Sequence, residues 1–368
     1  MGGRNAVRVL IIGGTGFIGP HVVRWLVEQN AEVTVFHRGQ TRTELTSEVA
    51  EIPQWLARSG KAGELPLGVG EILGSRKRLA SFAEDFRKLK PDVVLDMFPM
   101  KEADARAVVG TFKGLARRVV AVSSCDVYRT FNRLRQIEPG PPDPVPLIED
   151  SPLREKLFPY RHTAQGPGDS LYDYEKILVE RVVLGNLELP GTILRLAAVY
   201  GPDDPLHRIF AYLKRMDDGR QVILLQEGEA QWRFCRGYVE DVALAIALAV
   251  LNPKAAGRVY NVAEPEALTQ AEWVHAIGEA VGWKGRVAAL PRDRLPDHLV
   301  KDDDLEHHVV VDSGRVRAEL GYRENLTREE ALRRTVAWER THPLGEIDPA
   351  KFDYAAEDAA IAGWPGRR

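Results

Sequence analysis

Tyr172 and Lys176 stand four residues apart in Leu171-Tyr172-Asp173-Tyr174-Glu175-Lys176, a spacing that puts both side chains on one face of a helix. An ammonium beside a phenol favours the phenolate and draws a tyrosine toward the range useful for proton transfer. Ser124 ends the apolar run Arg118–Ser124, and the carboxyl end of a strand is where open α/β sheets bind ligands. Its hydroxyl can hydrogen-bond the same substrate oxygen that Tyr172 protonates or deprotonates. Two residues on, Asp126 is either a lone acid or base or a structural carboxylate near the sheet edge. A Tyr-x-x-x-Lys spacing alone arises easily by chance on an exposed helix, so its weight depends on what surrounds it.

What surrounds it starts at the amino end. The apolar strand pattern through Ile12 meets Gly13-Gly14-Thr15-Gly16-Phe17-Ile18-Gly19, and Ile18, Val22, Val23, Leu26 and Val27 then recur at helical spacing. The glycines satisfy both G-x-G-x-x-G (Gly14, Gly16, Gly19) and G-x-x-G-x-x-G (Gly13, Gly16, Gly19) between a strand and a helix. Strand, glycine loop and helix in this order make a cradle for a dinucleotide pyrophosphate. NAD and NADP are both open as cofactors, and Lys176 would then also reach a nicotinamide ribose hydroxyl. The second strand runs from Glu32 to Phe36 and ends in His37-Arg38-Gly39, with Arg38 19 residues past Gly19. No acid occupies that strand end, although Glu44 follows a little later; an arginine there suits the 2′-phosphate and favours NADP.

Strands alternating with helices predict an α/β fold, a Rossmann-type doubly wound parallel sheet with a smaller mixed α/β substrate lobe in the C-terminal half. Residues 1–200 read mainly as the dinucleotide-binding domain. Residues 201–342 read mainly as the lobe, with a segment near 239–263 returning to the main domain, and 343–368 as a polar tail forming a surface extension or disorder. Residues 40–68 are polar with an apolar island at Trp55-Leu56, and 129–168 are irregular and rich in proline and charge. Helical pattern resumes at Tyr172 and runs to about Gly185. With 368 residues, 44% apolar, 28% charged and a net charge of −3, the chain has no general attraction for nucleic acid or acidic membranes. The first strand begins close to the start and no apolar run spans a bilayer, so the expected compartment is the cytoplasm, without a signal peptide. Cys125 and Cys235 lack metal spacing and read as small buried hydrophobes. No metal site is expected: His307-His308 beside Asp302-Asp303-Asp304 fits no standard ligand spacing and reads as a solvated loop.

Further blocks sharpen the picture: Val122-Ser123-Ser124-Cys125-Asp126-Val127-Tyr128, Glu149-Asp150-Ser151-Pro152, Leu194 to Pro202, Tyr238 to Ala243, and Tyr260-Asn261-Val262. With the glycine loop, Tyr172 and Lys176, their order resembles the extended short-chain dehydrogenase/reductases of the NAD(P)-dependent epimerase/dehydratase branch, over nearly the whole chain up to the tail. The resemblance implies Ser124, Tyr172 and Lys176 as the catalytic triad, with Tyr172 as acid/base on a hydroxyl or keto group of a sugar or sugar nucleotide. It also implies a homodimer through helices of the main domain. Two departures stand out. Cys125 replaces the first of the two acids that dehydratases use, lowering dehydration below epimerisation or simple reduction. Ala198 replaces a phosphate-contacting asparagine, and the arginine expected before the Tyr238 block is out of register, leaving Arg233 and Arg236 both open as a substrate phosphate clamp. The gap of 48 residues from Ser124 to Tyr172 is long for the family, and the insertion, including Phe158-Pro159-Tyr160-Arg161-His162, is expected to shape the pocket. A second reading is a non-catalytic dinucleotide-binding module used for RNA binding or regulation. The near-neutral charge and the complete triad make nucleic acid the less favoured partner.

Overall fold

The computed structural model describes residues 6–39, 66 and 68–363, so Glu44 and Trp55-Leu56 lie outside the described residues. The strands are β1 (Arg8–Ile12), β2 (Glu32–His37), β3 (Gly70–Leu73), β4 (Val93–Asp96), β5 (Arg118–Ser124) and β6 (Gly191–Leu196). They continue with β7 (Ala198–Tyr200), β8 (Val222–Gln226), β9 (Arg236–Tyr238), β10 (Val259–Val262) and β11 (Arg286–Leu290). Seven form one parallel sheet in the order β10-β6-β5-β4-β1-β2-β3, while β7–β9 and β8–β11 make two small parallel pairs. Strand order reverses between β1 and β4, whose ends are in register at Ile12 and Asp96. This is the switch point at which open α/β sheets leave a crevice.

Both faces of the sheet are buried, which explains the continuous apolar runs of its strands. Along β1, Val9 and Ile11 join the core beneath helices Gly19–Glu28 and Val239–Leu251. Leu10 and Ile12 join the opposite core with Phe86, Phe112 and Val183. In helix Val239–Leu251 the fully buried Val242, Ile246 and Val250 each contribute roughly 1.5–3 kcal/mol by the apolar area they remove from water. Its last turn is closed by Arg118, whose guanidinium donates to Ala249 O (2.7 Å) and to Val250 O. A cation suits the negative end of a helix, and burial pulls this arginine down to about 10.

The sequence blocks carry one buried polar network. Glu180 accepts from Ser123 Oγ (2.6 Å) and from Arg195 Nε and Nη2 (3.0 and 2.7 Å). Arg195 Nη1 donates to Tyr128 Oη and Glu149 O, and Tyr128 Oη donates to Asn261 Oδ1 at 2.7 Å. Asn261 N donates to Glu149 Oε1 at 3.0 Å. Each buried polar group thereby meets a partner, which is what permits so much polarity at the ends of β5, β6 and β10.

Two expectations change. Residues beyond Pro343 show no periodicity, yet Tyr354–Ala362 is helical and docks on the smaller lobe. Glu357 there is fully buried; it receives Arg215 Nη2 at 2.6 Å and faces His298 Nε2 at 3.1 Å. The helix expected from Tyr172 begins instead at Lys176. Glu175 is extended, its N–H bound to Met100 O, and its carboxylate caps Ile177 N (2.8 Å) while pairing with Arg154. That cap starts the helix at Lys176 and leaves Tyr172 in a turn.

Candidate active site

The cradle comes first. Gly13 has φ +82°, which favours glycine, and turns the chain out of β1. A Cβ on Gly19 would lie 2.4 Å from Gly14 O, so only glycine lets helix Gly19–Glu28 start against the loop. A Cβ on Gly16 would meet nothing within 4 Å; it faces open space. The first turn of this helix has neither a side-chain cap nor an acidic residue, so its backbone N–H groups face the loop without an anionic partner of their own. Thr15, Phe17 and Ile18 are half-buried along it, and the residues present fit a dinucleotide pyrophosphate.

Arg38 follows β2 directly and is exposed. The preceding His37 is buried, its Nε2 3.3 Å from Glu71 Oε2, a carboxylate brought in by the β2–β3 register. An acid therefore does stand near the end of β2, supplied by the neighbouring strand. At the end of β4, Asp96 is buried and receives Arg76 Nη1 at 2.8 Å.

From the cradle the site runs to the loop after β4 and on to β5. A Cβ on Gly13 would lie 3.9 Å from Phe98 Cβ, and Lys176 Nζ stands 6.0 Å from the Phe98 ring. Lys176 is 5% exposed and donates to Pro99 O (2.7 Å) and Val122 O (3.1 Å). Burial pulls its ammonium down to about 8. Ser124 is half-buried and its Oγ accepts from Asp126 N (3.1 Å), which leaves its own proton free to donate. Ser124, Asp126 and Lys176 are thus brought together beside the cradle.

No contact of Tyr172 with these three is seen among the described residues. Its ring lies 4.7 Å from Arg161 Cζ, and Arg161 Nε donates to its carbonyl. The tyrosine beside Lys176 is Tyr174, 5.8 Å from Nζ to ring centroid, and its hydroxyl donates to Asp126 Oδ2 at 2.7 Å. Tyr160, from the long insertion, donates to the same oxygen at 3.0 Å and packs edge-on against Tyr174. Asp126 is 6% exposed, and its Oδ1 has no hydrogen-bond partner among the described residues. Burial raises this carboxyl above its ordinary range, against the opposing pull of Arg154, the two tyrosine hydrogen bonds and Lys176. The Tyr-x-x-x-Lys spacing singled out neither Tyr160 nor Tyr174, although both lie in stretches whose aromatic density was visible.

In the smaller lobe Arg236 donates to Phe234 O (3.0 Å) and Gln270 Oε1 (2.6 Å), with its guanidinium 4.4 Å from the Trp273 ring. Burial pulls it down to about 10. Arg233 Nε donates to Ala267 O at 3.0 Å. No ion pair of either arginine is seen among the described residues. Arg233 N also donates to His308 Nδ1, and His307 is buried with its Nε2 3.5 Å from Asp304, so the His307-His308 stretch is packed structure rather than a solvated loop. Among the described residues no cluster of three or more candidate ligands could hold a metal, and no helix is long and apolar enough to cross a membrane.

The sequence matches the profile of the NAD dependent epimerase/dehydratase family over residues 9–95 and 112–263. It is 24% identical over 302 residues to 2'-dehydrokanamycin reductase of Streptomyces kanamyceticus, covering 80% of this chain and 72% of that protein. It is 23% identical over 353 residues to UDP-N-acetyl-alpha-D-glucosaminuronate decarboxylase of Bacillus cytotoxicus, covering 90% and 98%. Among solved structures it is similar to the Bordetella bronchiseptica enzyme WbmG in complex with NAD and UDP, with TM-score 0.63, 19% identity, and 92% and 96% of the two chains covered. With more than half of its length matched by that profile, the chain belongs to the NAD dependent epimerase/dehydratase family and is an enzyme of that family.

Proposed function

We propose that this enzyme performs nicotinamide-dependent redox chemistry at a hydroxyl or keto carbon of a sugar or sugar-nucleotide-like substrate, as an oxidoreductase or epimerase. The observation that carries this reading is the line from Gly13 through Phe98 to Lys176 and Ser124, which joins a pyrophosphate cradle to a donor pair on one rim of the sheet. A bound nicotinamide dinucleotide supplies hydride transfer, and the chain supplies binding, orientation and proton handling. Gly13, Gly14, Thr15, Gly16, Phe17, Ile18 and Gly19 cradle its phosphates, and Arg38 faces the adenosine ribose, which favours NADP over NAD. Lys176 has an N–H beyond its two carbonyl bonds to give a ribose hydroxyl. Ser124 donates to the reacting oxygen. The Tyr-x-x-x-Lys spacing offers Tyr172 as the acid/base group, and Tyr174, beside Lys176, is the alternative. Arg233 and Arg236, the latter desolvated by burial and neither in an ion pair among the described residues, would hold a substrate phosphate. That relatives include an enzyme named for a UDP-sugar supports this class of substrate.

The first test is a parallel titration of the protein with NADP(H) and NAD(H), repeated with Arg38→Ala. NADP preference lost in the variant establishes the cradle and the role of Arg38. Tight NAD binding indifferent to Arg38 reverses the cofactor preference and keeps the chemistry. Binding of neither removes the redox reading.

A further inference from the structure

We propose that the proton in this reaction is handled by Tyr174 with Asp126 behind it, Tyr160 of the long insertion steadying the carboxylate, rather than by Tyr172. This rests on the redox reading above and changes only which tyrosine carries the proton. Three features of the geometry point to it. The helix begins at Lys176, so Tyr172 and Lys176 do not share a helical face, and Tyr172 is stacked on Arg161, itself sandwiched by Phe158 at 3.7 Å. Tyr174, by contrast, lies against Lys176 and forms a 2.7 Å hydrogen bond to Asp126. Finally, Asp126 is a buried carboxylate with one oxygen doubly donated to and the other without a partner among the described residues. Most buried side-chain oxygens are hydrogen-bonded, and the open one on Asp126 sets this carboxylate apart.

The chemistry follows from these positions. During oxidation of a substrate alcohol, the hydride leaves to the oxidised nicotinamide dinucleotide and the hydroxyl proton passes to Tyr174 Oη. The proton already on Tyr174 moves along its hydrogen bond to Asp126 Oδ2. The products are the carbonyl compound, the reduced dinucleotide, a neutral Tyr174 and a protonated Asp126; reduction runs the same transfers backward. The Tyr174 hydroxyl already donates to Asp126 Oδ2, so the carboxylate is the acceptor at the end of the relay, and burial with the adjacent carboxylate holds the phenol well above its ordinary range. Asp126 suits that task because its burial favours the protonated form; Arg154, Lys176, Tyr160, Tyr174 and the Cys125 thiol are the charged and titratable groups facing it. Tyr174 is then the catalytic residue, and Asp126 and Tyr160 act through it.

The test compares Tyr172→Phe, Tyr174→Phe, Tyr160→Phe and Asp126→Asn. UDP-glucose, UDP-glucuronic acid and dTDP-glucose serve as probes; formation of reduced nicotinamide is followed by absorbance and formation of sugar isomers by chromatography. Loss of a proton-transfer group costs roughly 10²–10⁴-fold in rate, so Tyr174→Phe should fall by that factor and Tyr172→Phe by far less. Asp126→Asn should in addition remove the acid limb of the pH–rate profile, which a packing defect would not do. Tyr172→Phe inactive with Tyr174→Phe fully active overturns the proposal and leaves the redox reading standing. If wild type neither accumulates reduced nicotinamide nor forms a sugar isomer with any probe, the redox reading fails for them, and infrared spectroscopy of the protein without cofactor decides this proposal alone. The protonated-carboxyl band missing from Asp126→Asn should titrate above the ordinary carboxylate range and shift in Tyr174→Phe but not in Tyr172→Phe. An Asp126 that titrates normally, or that responds only to Tyr172, overturns it.

Discussion

Glu175 offers the sharpest test of how the site is held. Its carboxylate and the Arg154 guanidinium are both wholly buried, paired through Nη1 (3.2 Å) and Nη2 (3.0 Å). The same carboxylate accepts from Phe158 N (2.6 Å) and Ile177 N (2.8 Å), so it anchors the insertion and caps the Lys176 helix at once. Glu175→Ala takes from the buried Arg154 guanidinium its only hydrogen-bonded carboxylate among the described residues and leaves it the attraction of Asp126 alone, a loss of about 3 kcal/mol or more. Removal of the cap adds about 1 kcal/mol. With about 2 °C per kcal/mol for a chain of this size, the melting temperature should fall by about 8 °C or more. The double variant Arg154→Met/Glu175→Leu should melt higher than Glu175→Ala, because no guanidinium is stranded and Asp126, which burial already pushes toward the protonated form, can take up a proton. Differential scanning calorimetry gives both values. Glu102→Ala, which breaks an exposed pair with Arg106, serves as the control and should change little. A Glu175→Ala protein melting within about 2 °C of wild type would refute the reasoning, as would a double variant less stable than the single one.

Other outcomes follow from the same geometry. Gly16→Ala should leave the melting temperature nearly unchanged, since its Cβ enters open space, yet weaken dinucleotide binding by tenfold or more in a fluorescence titration; Gly19→Ala should damage both. Lys176 has a folded-state value of about 8 against an ordinary 10.5, so between those values the unfolded chain binds more protons and stability should rise with pH. Urea midpoints measured from about pH 8 to 10 should show that rise in wild type and its loss in Lys176→Met. Removing residues 348–363 strands Arg215, and limited proteolysis should then cut the smaller lobe faster, whereas wild type resists.

The legible part of the sequence was the part written in local or buried-polar terms. The cradle was readable because Gly13, Gly14 and Gly19 each answer a steric demand set within a few residues. Ser123, Tyr128, Glu149, Arg195 and Asn261 belong to recognisable blocks because each is a partner in one closed hydrogen-bond network, where a missing member would orphan another. The start of the Lys176 helix was not readable, because it is fixed by Arg154 and Met100, far away in sequence. The spacing of Tyr172 and Lys176 is a helix argument, and it fails where the chain is extended. The helix Tyr354–Ala362 is hidden for a similar reason: its one fully buried side chain is Glu357, paired with a distant arginine, and its apolar packing comes from Ala360 and Ile361. The acid near the end of β2 comes from β3, so no reading of one strand could find it.

The docking of Glu357 has a consequence for how the protein is made. Its partner Arg215 lies 142 residues earlier in the chain. At about 5–20 residues per second, a ribosome needs roughly 7–28 s to deliver the glutamate after the arginine has emerged. Through that interval the smaller lobe holds a cation whose final burial is not yet possible, so its closure is scheduled by translation rather than by the speed of its own folding.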